Sequence, residues 1–344
     1  MNILGIDTSC DDTSAALVTD GRAVLSNVVN SQVRLHHPYG GVVPELASRE
    51  HLRNLVPVVN EALSRAGLGM KNLDGIAVTI GPGLIGSLLV GLYYSKALAL
   101  VRKIPMVAIN HLEGHILSIL LEDDAPEFPF VALTVSGGHT NLYHVKGIGD
   151  YMQMGQTLDD AAGEAFDKVA KILGLGYPGG AVLEELARSG QPDSIDFPRA
   201  YLDPESLDFS FSGLKTSVSL FTNKWKKSRE KQAEVKEEDI AASFQEAVID
   251  VLAQKLIKAQ EKTGVNSIVL AGGVARNGAL RQRLKEEANI RGIGVYYPRP
   301  EYCTDNGAMI ALTGYYRIIE REKSDFSVDV RSRYPIEDIA PIGA

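Results

Sequence analysis

Two stretches of the sequence share one pattern, in which an apolar run, a polar turn and a second apolar run follow one another. The first covers residues 3–18 with its turn at 7–12, and the second covers residues 131–145 with its turn at 136–139. This pattern predicts a β-hairpin in each place. Because each hairpin opens a segment of similar size, the sequence favours a duplicated chain with two lobes.

Length and composition agree with two lobes. The chain has 344 residues, of which 45% are hydrophobic and 23% are charged, a balance that excludes disordered, collagen-like and coiled-coil chains. This length exceeds what one hydrophobic core usually supports. A helical stripe at 240–262 is followed by a short apolar strand at 268–270, and such alternation of helices and strands predicts an α/β architecture.

The remaining global features indicate a soluble, cytoplasmic protein. The two cysteines, Cys10 and Cys303, suit a reducing compartment. Residues 1–7 carry an acidic residue and no basic leader, so we expect no signal peptide. The apolar stretch 80–100 contains several glycines and Lys96, so it predicts a buried helix and no membrane span.

His111 and His115 are the clearest candidates for chemistry. Residues four apart share one helix face, so these two imidazoles could hold one divalent metal, the alternative being two partly buried helix histidines. Glu113 lies two residues after His111, about 200° round a helix, and therefore points away from that face. A zinc peptidase, whose glutamate directly follows the first histidine, is disfavoured on this ground.

A third metal ligand has to come from elsewhere in the chain. Asp305 is a carboxylate in a polar turn ahead of an apolar helical run, and Cys303 is a softer alternative two residues earlier. Spacing alone connects neither residue to the histidines. An Asp-Asn-Gly tripeptide is often only a turn or a helix cap, so both alternatives stay open.

Glycine turns and an acidic stretch are the other chemical features. Turns at 136–140, 179–180 and 272–273 could bring backbone amides close to an anion, although each could also be a tight turn only. None of them has the Gly-Lys-Ser/Thr of a P-loop. Residues 159–168 hold four carboxylates, which could bind a cation or ribose hydroxyls, or could form a solvated helix face.

Taken together, these motifs resemble one known family. They are HLEGH at 111–115, VSGGHT at 135–140, DDAAGEAFDK at 159–168, FSFSGLKT at 209–216, AGGVARN at 271–277 and CTDNGA at 303–308. In this order they are similar to the bacterial TsaD-type tRNA N6-adenosine threonylcarbamoyltransferases, formerly described as glycoprotease-like. The resemblance extends from Leu4 to Tyr334.

The resemblance implies a fold and a division into lobes. The fold is the two-lobed, actin-like (ASKHA) ATPase fold of actin, Hsp70 and sugar kinases, a duplicated α/β domain with a ligand cleft between the lobes. One lobe would comprise residues 1–110 with 303–344, and the other residues 111–302.

The resemblance also implies a reaction and a site. The reaction is transfer of the threonylcarbamoyl group from threonylcarbamoyl-adenylate to N6 of the adenosine at tRNA position 37, with release of AMP. One divalent metal per subunit, Fe²⁺ or Zn²⁺, would be held by His111, His115 and Asp305. The residues expected to bind the adenylate are Val135, Ser136, Gly137, Gly138, His139, Glu164, Asp167, Gly180 and Asn277.

For catalysis we expect Asp11 to collect the proton of the attacking amine, and His139 to stabilise developing negative charge. Two small basic clusters, residues 224–231 around Trp225 and residues 34–53, are the candidates for tRNA contact at a net charge of −8. The family implies two partners, a TsaB-like paralogue that forms a heterodimer and a TsaE-like ATPase. The alternative function is an ATP-dependent kinase or ATPase of the same fold.

Overall fold

The computed structural model describes residues 1–201, 203, 205–228 and 235–342. Within these residues the chain forms two compact units. The first unit comprises Met1–Phe128, Val145–Tyr151 and Pro298–Ala344, and the second comprises Pro129–His144 and Met152–Tyr297.

The first unit is built on a five-stranded sheet in the order β3-β2-β1-β4-β5. Its strands are β1 (Asn2–Asp7), β2 (Asp12–Thr19), β3 (Ala23–Ser31), β4 (Gly75–Gly81) and β5 (Met106–Asn110). Strands β1, β2 and β3 pair antiparallel, whereas β1, β4 and β5 pair parallel. The predicted hairpin at 3–18 is therefore confirmed.

Helices cover both faces of this sheet. They are α1 (Val33–His36), α2 (Pro44–Arg65), α3 (Ile85–Arg102), α4 (His111–Leu117) and, after the second unit, the two helices Pro300–Cys303 and Gly307–Ile319. Because side chains alternate along a strand, Ile6 faces α3 while Gly5 faces the helix Gly307–Ile319. A Cβ on Gly5 would lie 2.4 Å from the backbone nitrogen of Ala311, so glycine allows that helix to approach β1 closely.

The second unit repeats this plan. Its sheet consists of β6 (Phe130–Val135), β7 (Thr140–Gly147), β8 (Asp150–Gln156), β9 (Ser267–Ala271) and β10 (Gly294–Tyr296), in the order β10-β9-β6-β7-β8. Read from the other edge, this order matches the first sheet strand for strand, and β6, β9 and β10 are again parallel. The predicted duplication is thus present in the topology. Residues 145–151, at the ends of β7 and β8, are grouped with the first unit.

The helices of the second unit are α5 (Ala162–Leu173), α6 (Gly179–Ala187), α7 (Ser212–Ser228), α8 (Glu237–Thr263) and α9 (Gly278–Arg291). The helix predicted at 240–262 corresponds to α8, and the strand predicted at 268–270 lies within β9. We number the helices Pro300–Cys303 and Gly307–Ile319 of the first unit α10 and α11.

The units differ from the predicted lobes in three segments. Residues 111–128, 145–151 and 298–302, which the prediction gave to the second lobe, belong to the first unit. The longest of these segments contains α4. The reason is packing, since α4 follows β5 directly and lies against α11. A Cβ on Gly114 would come within 2.9 Å of Ile310, so the contact between these two helices is close.

Helix α3 corresponds to the apolar stretch in the sequence. Among the described residues it is the helix long and apolar enough to cross a membrane, although 33% of that stretch is buried inside the protein. One face packs on β4 and β1, where Gly91 lies against Thr8. The opposite face is exposed, with Tyr93 60% and Val101 77% accessible. The predicted burial therefore applies to one face of the helix.

Candidate functional site

His111 and His115 both direct their Nε2 atoms at Asp305. Oδ1 of Asp305 lies 3.5 Å from His111 Nε2 and 3.1 Å from His115 Nε2. The three ligand atoms all lie within 4.8 Å of one another. Helix capping fixes these residues, because Asn110 caps α4 beside His111 and Asn306 caps α11 beside Asp305.

The donor set fits a divalent transition metal. Two imidazoles and one carboxylate are ligands of zinc and of non-haem iron, whereas magnesium prefers oxygen alone. Cys303, the alternative third ligand, instead donates its thiol to the carbonyl of Pro298 at 3.3 Å. Asp305 is therefore the residue that joins the two histidines.

A second carboxylate faces His111 from the opposite ring edge. His111 Nδ1 lies 3.2 Å from Asp7 Oδ2 and 3.2 Å from Ser9 Oγ. Burial disfavours the charged ring, but Asp305 and Asp7 raise the pKa of His111 to about 10. The same attraction holds the pKa of Asp305 well below its ordinary value, although burial opposes this. A bound cation would take the place of the proton on His111.

The turn between β1 and β2 adds acidic groups close to Asp305. Burial, followed by repulsion from Asp305, raises the pKa of Asp12 to about 7. Burial also raises the pKa of Asp11, while its hydrogen bond with Cys10 works in the other direction. Burial and the nearby acids raise the pKa of the Cys10 thiol, so this cysteine is a poor nucleophile.

Glu113 takes no part in the candidate metal set. Its carboxylate accepts hydrogen bonds from Arg317 Nη2 at 2.6 Å, Arg317 Nε at 3.2 Å and Tyr151 Oη at 3.0 Å. The side chain is therefore directed away from the histidines, as the spacing predicts. Arg317 lies 204 positions away from Glu113, so no local sequence pattern indicates this pair.

In the second unit, the turn Ser136–His139 follows β6. Ser136 N donates to His139 O at 2.8 Å, and His139 N donates to Ser136 Oγ at 3.1 Å. Gly163, in the first turn of α5, donates its N–H to Ser136 O at 3.2 Å. A Cβ on Gly163 would lie 2.5 Å from that oxygen, whereas open space surrounds Gly137 and Gly138.

Three further predicted residues of the same unit have side chains or backbone groups at helix N-termini. Asp167 accepts the N–H of Gly179 at 2.6 Å, and Gly180 follows in the first turn of α6. Asn277 caps α9 through Leu280 N at 2.9 Å and donates to Gln245 at 2.9 Å. The amide groups at the start of α5, α6 and α9 are the type of group that binds anions.

The acidic residues Asp159 and Asp160 of the stretch 159–168 bind other residues of the second unit. Asp159 accepts hydrogen bonds from Ser210 and from the N–H of Phe211. Asp160 pairs with Lys168 at 2.6 Å and with Lys215 at 2.8 Å. The motif at 209–216 thus serves to anchor α7, a role that its alternating Phe and Ser residues did not indicate.

Within the described residues, the two predicted basic clusters combine exposed cations with residues that have structural partners. Trp225 is 5% exposed and donates its indole N–H to Val235 O at 2.8 Å, so it packs inside the unit. Arg229 and Lys231 lie outside the described residues. In the other cluster His36 is buried, while Arg49 and Arg53 pair with neighbouring glutamates.

Proteins of known structure share the fold of this chain. The chain is similar to full-length HypF in its phosphate- and nucleotide-bound form, with a TM-score of 0.60, 14% identity, and coverage of 91% of this chain and 46% of HypF. It is also similar to the activator of 2-hydroxyisocaproyl-CoA dehydratase from Clostridium difficile, with a TM-score of 0.55, 15% identity, and coverage of 93% and 97%. These likenesses confirm the predicted actin-like fold.

The sequence also matches one protein family over most of its length. Residues 23–312 match the TsaD family, tRNA N6-adenosine threonylcarbamoyltransferase. Proteins of that name from Desulforapulum autotrophicum and Syntrophus aciditrophicus are 54% and 50% identical, over 97% and 98% of this chain and 99% and 98% of the relatives. On this evidence the chain belongs to the TsaD family of tRNA N6-adenosine threonylcarbamoyltransferases.

Proposed function

We propose that this chain transfers the threonylcarbamoyl group from threonylcarbamoyl-adenylate to N6 of adenosine 37 in tRNA. The N6 amine attacks the carbamoyl carbon, and the bond from that carbon to the adenylate phosphate oxygen breaks. AMP leaves with the electron pair, and the amine loses one proton. The observation that carries the proposal is the convergence of His111, His115 and Asp305 in a chain that belongs to this family.

The metal would be Fe²⁺ or Zn²⁺, held by His111, His115 and Asp305. When bound, it would supply a Lewis acid that polarises and orients an oxygen of the threonylcarbamoyl or phosphate group. Asp7 and Ser9 support this arrangement, because their contacts with His111 Nδ1 leave Nε2 directed at the metal position.

The second unit would bind the adenylate. The amides of Gly137 and Gly138 in the turn that follows Val135, with the helix N-termini at Gly180 and Asn277, suit a phosphate group. Asp167 and Glu164 would accept hydrogen bonds from the ribose hydroxyls, since a carboxylate can accept several at once. Glu164 also pairs with Lys168 at 2.8 Å, which holds its side chain near α5.

Asp11 and His139 would carry out the proton and charge steps. A carboxyl group whose pKa is raised by burial is a better proton acceptor than an ordinary aspartate, and Asp11 has this property. His139 and the amides of Gly137 and Gly138 would stabilise negative charge on the carbonyl and phosphate oxygens.

The partners would be tRNA, a TsaB-like paralogue and a TsaE-like ATPase, all in the cytoplasm. The exposed apolar surface on α2 and α3 suits the TsaB-like paralogue, because a protein of related fold offers a similar helix pair. This surface includes Leu52 at 68%, Val56 at 49% and Tyr93 at 60% exposure, beside a groove of about 440 Å³. Exposed apolar patches of this kind are typical of protein interfaces.

The test is mass spectrometry of nucleosides from unmodified tRNA, incubated with threonylcarbamoyl-adenylate, this chain and both partners. We expect a threonylcarbamoyl-adenosine peak that disappears when this chain is omitted or when His111→Ala and His115→Ala are combined. Asp123→Ala combined with Asp124→Ala changes two exposed side chains outside the site and is the matched control. ATP turnover by this chain alone, without the modified nucleoside, would instead support a kinase or ATPase.

A further inference from the structure

Glu113 lies on the same short helix as the two histidines, but it faces the other way. The imidazoles are directed at Asp305, whereas the Glu113 carboxylate binds Arg317. Asp305 lies two residues before α11 and Arg317 lies in its last turn. Helix α4 is therefore attached to the segment 305–317 at two points, one on each of its faces.

The contact between Glu113 and Arg317 is directional. Two contacts to one guanidinium, at 2.6 and 3.2 Å, form a bidentate pair, which fixes direction as well as distance. Both side chains are buried, and Tyr151 Oη donates a further hydrogen bond to the carboxylate of Glu113. Glu322 binds the remaining edge of Arg317 at 2.7 Å, so the guanidinium is itself held in place.

We propose that Glu113 is a positioning residue, which with Arg317 fixes the rotation of α4 about its axis and so holds His111 and His115 in register with Asp305. Rotation of a helix moves all of its side chains together. A pair that locks one face of α4 therefore also locks the imidazoles on the opposite face. This proposal rests on the proposed metal set.

The consequence is a specific effect on metal affinity. Residues that orient metal ligands typically change affinity by about 10- to 100-fold when altered. Glu113→Gln keeps the shape and one acceptor oxygen but removes the charge that fixes Arg317. We expect it to weaken Zn²⁺ binding by about 10- to 100-fold, without any loss of a ligand.

The experiment titrates the full-length chain with Zn²⁺ against a chromophoric chelator and records the visible ligand-field bands of bound Co²⁺. A thermal unfolding curve is measured for each variant. Asp250→Asn is the matched control, because it breaks a partly buried pair with Arg283 and Arg199 in the second unit. We expect this control to lower the melting temperature and to leave the Zn²⁺ affinity and the Co²⁺ bands unchanged.

Two further variants separate positioning from folding. Arg317→Lys keeps the charge but loses the bidentate fork, so we expect an intermediate loss of Zn²⁺ affinity even if Glu113→Gln does not fold. The double variant Glu113→Gln with Arg317→Met also removes the buried guanidinium, which Glu113→Gln leaves paired with Glu322 alone. We expect it to recover melting temperature without recovering Zn²⁺ affinity.

The outcomes are distinguishable. If the wild-type chain binds Zn²⁺ and both Glu113→Gln and Arg317→Lys bind it equally well, the positioning role is wrong. Recovery of full affinity in the double variant also overturns it, because the pair would then serve stability alone. A wild-type chain that binds no Zn²⁺ contradicts the proposed metal set itself, and this proposal with it.

Discussion

Asp7 Oδ2 lies 3.2 Å from His111 Nδ1, on the ring edge opposite the Nε2 atom that faces Asp305. One imidazole thus bridges the buried Asp7 and the half-buried Asp305. In metal sites such an outer carboxylate fixes the tautomer of the ring and increases its basicity as a ligand. The N–H of Ser9 donates a hydrogen bond to the other carboxylate oxygen, Asp7 Oδ1, at 3.0 Å and so holds the Asp7 side chain in place.

Asp7→Asn is expected to weaken Zn²⁺ binding by about tenfold, since the amide cannot supply the negative charge that supports His111. Competition with a chelator measures the affinity. Asp74→Asn is the control, because Asp74 is an exposed acceptor for the N–H of Asn2 at the end of the same strand. Equal affinities for wild type and Asp7→Asn would show that Asp7 does not support the ligand.

The features that were predictable from sequence are those set by local spacing. Pairs of apolar runs separated by a polar turn located both hairpins, and the spacing of His111 and His115 placed them on one helix face. The same spacing directed Glu113 away from them. These conclusions need only the geometry of one strand or one helix.

The features that were not predictable depend on contacts between distant parts of the chain. Asp305 lies 190 positions from His115, and no local pattern distinguishes it from Cys303 as the third member of the set. The acidic stretch was equally ambiguous, since the partners of Asp160 include Lys215, 55 positions away. The placement of α4 in the first unit likewise follows from its packing against α11.

Asp12 should make the stability of the metal-free protein depend on pH. Its pKa is about 7 in the folded chain against an ordinary value of 3.8, so the folded state holds a proton that the unfolded state releases. This contribution to stability is complete below pH 3.8 and is lost as the pH rises through 7. The full difference corresponds to at most about 4 kcal/mol.

The measurement is the free energy of unfolding by denaturant between pH 4 and pH 8, compared with Asp12→Asn. We expect the variant to gain stability relative to wild type as the pH rises, because the amide never ionises. Asp124→Asn alters an exposed carboxyl group and serves as the control. A constant difference between wild type and Asp12→Asn across this range would contradict the raised pKa.

Trp225 should contribute to stability and not to tRNA stacking. Its indole is buried and binds Val235 O at 2.8 Å, just before α8 begins. Trp225→Phe removes that partly buried hydrogen bond, which should lower the unfolding free energy by about 0.5–1.5 kcal/mol. Denaturant unfolding followed by circular dichroism measures this loss.

The matched variant is Lys227→Ala, which changes an exposed cation of the same helix. Its stability should stay within about 0.5 kcal/mol of wild type. A binding titration with tRNA then separates charge from stacking. If Trp225→Phe weakens tRNA binding while its unfolding free energy is unchanged, the indole contacts nucleic acid and the packing role is wrong.

Gly163→Ala should displace the turn at 136–139, because the added methyl group would collide with the backbone of that turn. The added Cβ would lie 2.5 Å from Ser136 O and 2.8 Å from Gly137 N, so either the turn or α5 has to move. We expect at least a tenfold loss of kcat/KM for threonylcarbamoyl-adenylate, since small displacements of oxyanion donors are costly.

Gly213→Ala is the control, because no atom lies within 4 Å of its Cβ position at the start of α7. That variant should keep full activity and at least wild-type stability. Equal activity of both variants would mean that the amides of the turn do not bind the adenylate.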